Sequence, residues 1–203
     1  AFSQDKARQW RRQTMRKLAL DNAAILVTAH HKDDSDETIL LKLLRGVHIS
    51  NLSGLSALSR DKDGVNWARP LIHVRKHEIV DYLQQHNLTW REHASNQPNM
   101  HLRNRVRNEL IPLMNDMVGT ENLQRRLENL EQQSSEVRED LQRRTQTYLD
   151  THLLHSGTFL LPDDDMDLVA KEALYMWVSS QQPLQFTYDH FQRVVSQIQE
   201  YPK

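Results

Sequence analysis

A short apolar run followed at once by a charged turn and a helix is the feature that most constrains the fold. Residues 23–29 form an apolar run of the length typical of a buried strand, and the acidic, histidine-containing stretch 30–38 follows it. Leucine and isoleucine at helical spacing predict a helix over 34–45, ended by Gly46. Good helix formers predict another helix over 4–20. This order of elements indicates an α/β fold with a parallel sheet.

The second half of the chain has a different pattern. Residues 47–70 are rich in Ser, Asn, Asp and Gly and are predicted to be mainly loop, and a helix is predicted over His77–His86. From residue 103 onward the chain is predicted to be almost wholly helical. One long helix carries a stripe that predicts an intramolecular packing seam, formed by Leu123, Leu127, Leu130, Ser134, Val137, Leu141 and Tyr148. Further helices are predicted over Leu168–Ser180 and around 188–198. The predicted domains are therefore an α/β domain at 1–100 and a helical domain at 101–203.

Composition excludes several classes of protein. The 203 residues contain no cysteine, which excludes disulfide frameworks, thiolate zinc sites and cysteine nucleophiles. Only 5 glycines are present, and no glycine-rich phosphate loop of a usual kind can be found. There is no apolar run near the roughly 18 residues that span a bilayer, so no membrane partner is expected. The chain opens on Ala1, without a leader pattern, and we expect it to be a fragment.

The charge is balanced overall but not locally. The net charge is −1, yet residues 6–17 carry six cations and residues 33–37 concentrate acid. A solvated helix face explains either run, and Asp34 with Glu37 three residues later also fits helix capping. His30, His31, Asp33 and Asp34 would equally suit zinc or manganese in a metal hydrolase. The residue pattern alone leaves these alternatives open, although strand ends and helix N-termini of open α/β sheets are where ligands bind.

Four ordered sequence blocks resemble one family. Residues 28–46, which read TAHHKDDSDETILLKLLRG, resemble the signature of the tRNA(Ile)-lysidine synthetases. Three further blocks match in the same order, with Arg12 where the family has tyrosine: residues 7–11 (ARQWR), residues 52–55 (LSGL) with 69–72 (RPLI), and residues 90–96 (WREHASN) with 103–107 (RNRVR) and 110–113 (LIPL).

The resemblance implies a fold and a reaction. It implies a Rossmann-like PP-loop ATPase domain, partial here, over residues 1–100, followed by a helical region. The family's ligases use ATP to adenylate the wobble cytidine of tRNA(Ile) with a CAU anticodon, and L-lysine then displaces AMP to give lysidine. The implied cofactors are ATP and Mg²⁺, and the implied partners are this tRNA and L-lysine, with a dimer as one oligomeric state to test. The implied location is the bacterial cytoplasm, or the plastid stroma for an organellar protein.

The resemblance also assigns roles to individual residues. His31, Asp34 and Glu37 are predicted to be catalytic, and Asp34 and Glu37 are predicted to hold magnesium only together with a nucleotide. His30 and Asp33 are expected to contact these catalytic residues rather than the substrate. Cations and an amide are predicted to bind phosphate or RNA, namely Arg8, Arg11, Arg103, Asn104 and Arg107, whereas Arg105 is expected to face solvent.

Two departures from the family qualify this prediction. The family's SGGxDS phosphate loop does not occur within the 203 residues, so we expect this chain alone to lack a full ATP site. His93 stands where the family usually has Asp. A non-catalytic tRNA-binding remnant is therefore kept as an alternative. A tRNA thiolase is disfavoured, because such enzymes normally use cysteines.

Overall fold

The computed structural model describes residues 4–61, 63–91, 102–154, 159, 160, 166–181, 191, 193 and 195–197, without the side chains of 4, 5, 8 and 179–181. The chain divides into two compact units, Ala1–Ser134 and Ser135–Lys203. The predicted domain boundary near residue 100 falls within 92–101, outside the described residues, and stays a prediction.

Helices dominate the first unit, and those predicted there from sequence are confirmed. Its helices are α1 (Gln4–Asp21), α2 (Lys32–Leu44), α3 (Lys76–Gln85), α4 (Leu102–Arg105) and α5 (Ile111–Val118), and α6 (Thr120–His152) begins in this unit and continues beyond it. A 3-10 turn occupies Ile49–Asn51 and a π-helical turn occupies Val106–Leu110, between α4 and α5. The π-helical turn carries Arg107, and such turns are frequent at functional sites.

A small mixed sheet accompanies these helices and confirms an α/β fold. Its strands are β1 (Leu26–Val27), β2 (Leu58–Arg60) and β3 (Asn66–Ala68), arranged in the order β1-β3-β2. Strand β1 pairs with β3 in parallel, with Leu26 opposite Trp67, and β2 pairs with β3 antiparallel.

The sheet corrects two sequence expectations. The run 23–29 was expected to be a buried strand, but only two of its residues are in β1, and Val27 is 66% exposed. Strand β1 is at an edge of the described sheet, where only one side is paired, which explains the exposure. The stretch 47–70, expected to be loop, contains β2 and β3. These strands are three residues long and partly polar, so they carry little alternation to detect.

The core of the first unit is built around the apolar residues of α2. Ile39, Leu40 and Leu41 are buried together with Val106 of the π-helical turn and Leu123 and Leu127 of α6. At its C-terminal end, α2 stops where Gly46 adopts φ +66°, with Gly46 N–H donating to Leu43 O and Val47 N–H to Lys42 O. Only glycine adopts this conformation without strain, so the predicted stop at Gly46 is confirmed.

The second unit has its own core. Helix α7 (Leu168–Gln181) confirms the helix predicted over Leu168–Ser180, and it buries Ala170, Ala173 and Leu174. On the α6 stripe Leu141 is buried, but Val137 is 40% exposed, so the predicted seam is wrong at that position. The helix predicted around 188–198 lies largely outside the described residues. No helix within the described ranges combines the length and the apolar character that crossing a membrane requires.

The α2 core yields a matched test of stability. Leu40 is 2% exposed and Leu44, on the same helix, is 55% exposed. We expect Leu40→Ala to lower the free energy of unfolding by about 2–5 kcal/mol, because it leaves a cavity in the core. Leu44→Ala is expected to change it by less than about 0.5 kcal/mol. Urea unfolding followed by circular dichroism measures both, and equal losses would contradict the packing described for α2.

Candidate active site

The start of α2 and its N-cap hold the three predicted catalytic residues, His31, Asp34 and Glu37. His31 is the N-cap, with extended backbone angles, and the Asp34 carboxylate accepts a hydrogen bond from His31 N–H at 3.2 Å. The expected capping arrangement of Asp34 with Glu37 is therefore shifted by one turn, because His31 is the N-cap and Asp34 closes the capping box. A capping role is wrong for Glu37, whose carboxylate lies buried and bonds to arginines from elsewhere in the chain. Capping thus cannot explain why an acid stands at position 37.

Two carboxylates and two arginines form one connected group, which we call the carboxylate–arginine network: Asp34, Glu37, Arg103 and Arg107. Arg103 donates from Nε to Glu37 Oε2 at 2.8 Å and from Nη2 to Asp34 Oδ1 at 3.0 Å. Arg107 donates from Nη2 to Glu37 Oε2 at 2.9 Å and to Asp34 Oδ1 at 3.3 Å, and its Nε contacts Glu37 Oε1. The network joins α2 to α4 and to the π-helical turn.

The charges of the two acids and the two arginines in the network compensate one another. Glu37 has a side chain only 3% exposed, so its charge requires compensation. The hydrogen bond and charge of Glu37 raise the pKa of Arg107, against the opposing effect of burial. Sequence reasoning identified all four members but assigned the acids to magnesium and the arginines to phosphate. In the structure the acids and the arginines pair with one another, and the assigned roles stay predictions.

This pairing bears on metal binding. Both oxygens of Glu37 and Oδ1 of Asp34 accept from arginine, and Asp34 Oδ2 accepts from His31 N–H. The donor set as arranged does not fit a magnesium ion, which needs free oxygen ligands in octahedral geometry. Within the described ranges no cluster of three or more His, Asp or Glu side chains is arranged for a metal ion, so the hydrolase alternative gains no support.

A cavity of about 700 Å³ opens beside the network and is lined by positive charge. Trp67, Leu41, Leu55 and Met15 supply its apolar wall. Among the described lining residues none is acidic and six are cationic, namely Arg11, Arg12, Lys42, Arg45, Arg69 and Arg103. In a chain of net charge −1 this concentration marks a site for an anion with several charges. We call it the cationic cavity.

Arg69 shows most directly that the cationic cavity suits an anion. Its Nη1 donates to Ser56 O at 2.8 Å and to Ser59 Oγ at 3.0 Å, which holds the guanidinium in place. Its Nε is buried and has no acceptor among the described residues. Burial and the nearby charge of Arg12 lower the pKa of Arg69. An anionic oxygen in the cavity would satisfy the donor and offset the repulsion.

A second cavity, of about 490 Å³, lies against the other members of the network. Its polar lining combines acids and bases: His31, Asp33, Asp36, Glu37, Arg75, Lys76 and Arg107. We call it the mixed-charge cavity. Such a lining suits a zwitterionic ligand better than a polyanion, because it offers partners to both charges.

The two adjacent histidines belong to different cavities. His30 lines the cationic cavity, and its Nδ1 is 2.8 Å from Thr28 Oγ1. His31 lines the mixed-charge cavity, with Nε2 3.4 Å from Asp34 Oδ2 and Nδ1 3.6 Å from Asp33 Oδ2. The start of α2 therefore separates the two cavities.

The remaining predicted residues divide between the cavities and the surface. Arg11 is exposed and lines the cationic cavity, whereas Asn104 lines neither of the two described cavities. The side chain of Arg8 lies outside the described residues. Arg105 is largely exposed and pairs with Glu109 at 3.1 Å, as expected. Sequence reasoning missed Arg12, Lys42, Arg45 and Arg69 as site residues, although the last three lie in blocks that carried the resemblance.

Comparison with known families defines the class of protein. A family model described as a PP-loop domain matches residues 2–114, more than half of the chain. The matched residues include α1, the three strands, the lining residues of the cationic cavity and the carboxylate–arginine network. This chain belongs to the PP-loop domain family.

Curated relatives narrow the comparison. The chain is 32% identical over 199 residues to the tRNA(Ile)-lysidine synthase of Chlamydia trachomatis serovar D, covering 92% of this chain and 61% of the relative. It is 38% identical over 110 residues to the enzyme of the same name from Enterococcus faecalis, covering 54% of this chain and 24% of the relative. The corresponding protein of Chlamydia pneumoniae is 30% identical over 187 residues. The chain thus spans about three-fifths of the length of the chlamydial relatives.

The network yields a second matched test. Glu37→Gln removes a buried charge that two arginines share, whereas Glu109→Gln removes the exposed partner of Arg105. We expect Glu37→Gln to lower the free energy of unfolding by about 2 kcal/mol, below the full cost of breaking a buried pair because both arginines are partly exposed. Glu109→Gln should cost less than about 0.5 kcal/mol. Similar losses in denaturant titrations would contradict the burial of Glu37.

Proposed function

We propose that the protein containing this chain is a tRNA-modifying ligase that converts the wobble cytidine of tRNA(Ile) with a CAU anticodon to lysidine, using ATP and L-lysine. The cationic cavity carries the proposal. It is a pocket of six positive side chains and, among its described lining, no acid, in a PP-loop chain whose relatives bear the name tRNA(Ile)-lysidine synthase. The bacterial cytoplasm is the proposed location, because the tRNA substrate is there.

The cationic cavity is the proposed site of phosphate groups. Arg69 Nε offers a buried donor, and Arg11, Arg45 and Lys42 supply charge around it. The reaction needs this charge when the O2 oxygen of cytidine attacks the α-phosphorus of ATP and pyrophosphate leaves, because negative charge accumulates on both groups. Trp67 is buried and lines this cavity, and the Arg12 guanidinium carbon lies 5.6 Å from its ring centre, so the indole ring helps to hold that cation at the proposed site.

The mixed-charge cavity is the proposed site of L-lysine. Lys76 and the partly exposed Arg107 can hold its carboxylate, and Asp33, whose side chain is 36% exposed, can face an ammonium group. In the second step the ε-amine forms a bond to C2 of the activated cytidine, the C2–O bond breaks, and AMP leaves with that oxygen. The amine must lose a proton. We assign its removal to His31, which lines this cavity.

The carboxylate–arginine network is proposed to stand at the meeting point of the two sites. Arg103 lines the cationic cavity, and Glu37 and Arg107 line the mixed-charge cavity. In this arrangement Asp34 and Glu37 orient the guanidinium groups toward the reacting centre. Magnesium is proposed to enter with the nucleotide, and no step is assigned to a protein-held ion, because the carboxylate oxygens are already paired.

Turnover tests the proposal. The intact protein is incubated with ATP, L-lysine and tRNA(Ile) carrying CAU, and lysidine is measured in nuclease digests by mass spectrometry. We expect wild-type protein to form lysidine and Asp34→Ala to lower kcat by about 10²-fold or more with tRNA binding nearly intact, because the network would act in the reaction itself. Absence of lysidine and of ATP–pyrophosphate exchange, with tRNA still bound, would establish the non-catalytic alternative. If the Asp34→Ala protein has a normal kcat but a lowered melting temperature, Asp34 acts only as a helix-capping residue.

Salt dependence tests the cationic cavity separately. If Arg11 contacts a phosphate, Arg11→Ala should weaken tRNA binding and reduce the slope of log K against log salt by about one contact. Arg126→Ala is the matched control, because Arg126 is exposed on α6 and lines neither described cavity. Fluorescence anisotropy over a range of KCl concentrations measures both slopes. An unchanged slope for Arg11→Ala would remove Arg11 from the binding surface.

A further inference from the structure

We infer that Glu131, on α6, is a positioning residue that sets the rotation of α2 and thereby presents Asp34 and Glu37 to Arg103 and Arg107. The consequence for turnover rests on the proposed function. The structural part of the inference does not, and it can be tested without any substrate.

Glu131 collects hydrogen bonds from two distant parts of the chain. Its Oε2 accepts from Lys32 Nζ at 2.9 Å, and its Oε1 accepts from Gly54 N–H at 3.1 Å and from Ser35 Oγ at 3.4 Å. Lys32 and Ser35 belong to α2, and Gly54 belongs to the loop that follows it. One carboxylate therefore ties α6 to the start of α2 and to this loop.

The geometry around Glu131 leaves no spare room. A Cβ on Gly54 would lie 1.9 Å from Ser35 Oγ and 2.6 Å from Glu131 Oε1, so any other residue would push these atoms apart. Ser35 Oγ also accepts from Leu55 N–H at 2.8 Å. The loop backbone, Ser35 and Glu131 consequently lock together at hydrogen-bonding distance.

Lys32 extends this lock through buried charge. Its Nζ lies 3.0 Å from Asp36 Oδ1, and the other Asp36 oxygen contacts Arg75 Nη1. Burial alone would lower the pKa of Lys32, but Glu131 and Asp36 outweigh it and raise the pKa, so Lys32 stays charged. Removing the Glu131 charge would leave Lys32 with Asp36 as its remaining carboxylate in a buried setting, which is costly.

The effect of the Glu131 contacts on Asp34 and Glu37 depends on where these residues lie around the axis of α2. At 100° per residue, Lys32, Ser35 and Asp36 lie on one face of the helix, and Asp34 and Glu37 lie on nearly the opposite face. If the contacts on the first face are lost and α2 rotates about its axis, the second face rotates by the same angle. The hydrogen bonds from Arg103 and Arg107 to Glu37 depend on that angle.

Glu131→Gln removes the charge and one hydrogen-bond acceptor of this side chain while keeping its size. Glutamine has almost the same shape, but its amide nitrogen cannot accept a hydrogen bond, so one donor of Lys32, Ser35 or Gly54 would face another donor. The substitution leaves the apolar side chains of Ile39 and Leu40 unchanged, so the variant is expected to fold. Glu139→Gln is the matched control, because Glu139 is exposed on the same helix and the charge change is identical.

Hydrogen exchange of the arginine Nε–H groups measures positioning directly. The Nε–H resonances of Arg103 and Arg107, assigned by single Arg→Lys variants, are followed by NMR below the melting temperature. We expect both to be protected in wild type and in Glu139→Gln, and to exchange at least about 10-fold faster in folded Glu131→Gln, since their acceptor Glu37 has moved. Unprotected wild-type signals, or full protection in Glu131→Gln whatever its melting temperature, would overturn the inference.

Kinetics of the intact protein give the second readout. We expect Glu131→Gln to lower kcat about 10- to 100-fold per folded molecule with KM for ATP and tRNA within about threefold of wild type, because small misplacements act on the chemical step. A kcat equal to that of Glu139→Gln would overturn the inference for turnover. If wild-type protein forms no lysidine, the proposed function fails, and the NMR result still decides whether Glu131 positions α2.

Discussion

The compensation of buried charge on α2 is the constraint on which the first unit depends. Lys32, Asp36 and Glu37 are all buried on a helix of only 13 residues. An unpaired charge there would cost several kcal/mol, so each must meet a partner of opposite sign. Apart from the Lys32–Asp36 pair within α2, those partners come from elsewhere: Arg75 before α3, Arg103 in α4, Arg107 in the π-helical turn and Glu131 in α6. Electrostatic pairing thus specifies which elements surround α2, and the apolar contacts of Ile39 and Leu40 supply the packing.

Local sequence patterns were sufficient for the helices, because those patterns are long. Leucine spacing and Gly46 located α2, and the 33-residue α6 and the helix α7 followed from periodicity. The strands β2 and β3 could not be found in this way, since three residues carry too little alternation and their pairing partners are distant. The burial of β1 was overestimated for a related reason: composition does not reveal that a strand is at an edge.

In the candidate site, too, local motifs predicted individual residues but not the contacts between residues distant in sequence. The resemblance located Asp34, Glu37, Arg103 and Arg107, but it could not reveal that the acids and the arginines pair across about 70 residues of sequence. Of the six cations of the cationic cavity only Arg11 and Arg103 were predicted, because the six come from separate segments between Arg11 and Arg103. A formal charge of −1 summed over the whole chain concealed this cavity. Glu131 carries no local signal, because an acid on a polar helix face looks like any other.

The divergence of His30 and His31 into separate cavities has a mechanical consequence. A single peptide unit at the start of α2 lies between the two cavities, which are therefore two compartments that share a wall. Any displacement that enlarges one compartment narrows the other. Occupants of the two compartments would therefore influence each other's affinity, and thermodynamic linkage requires that influence to be equal in both directions.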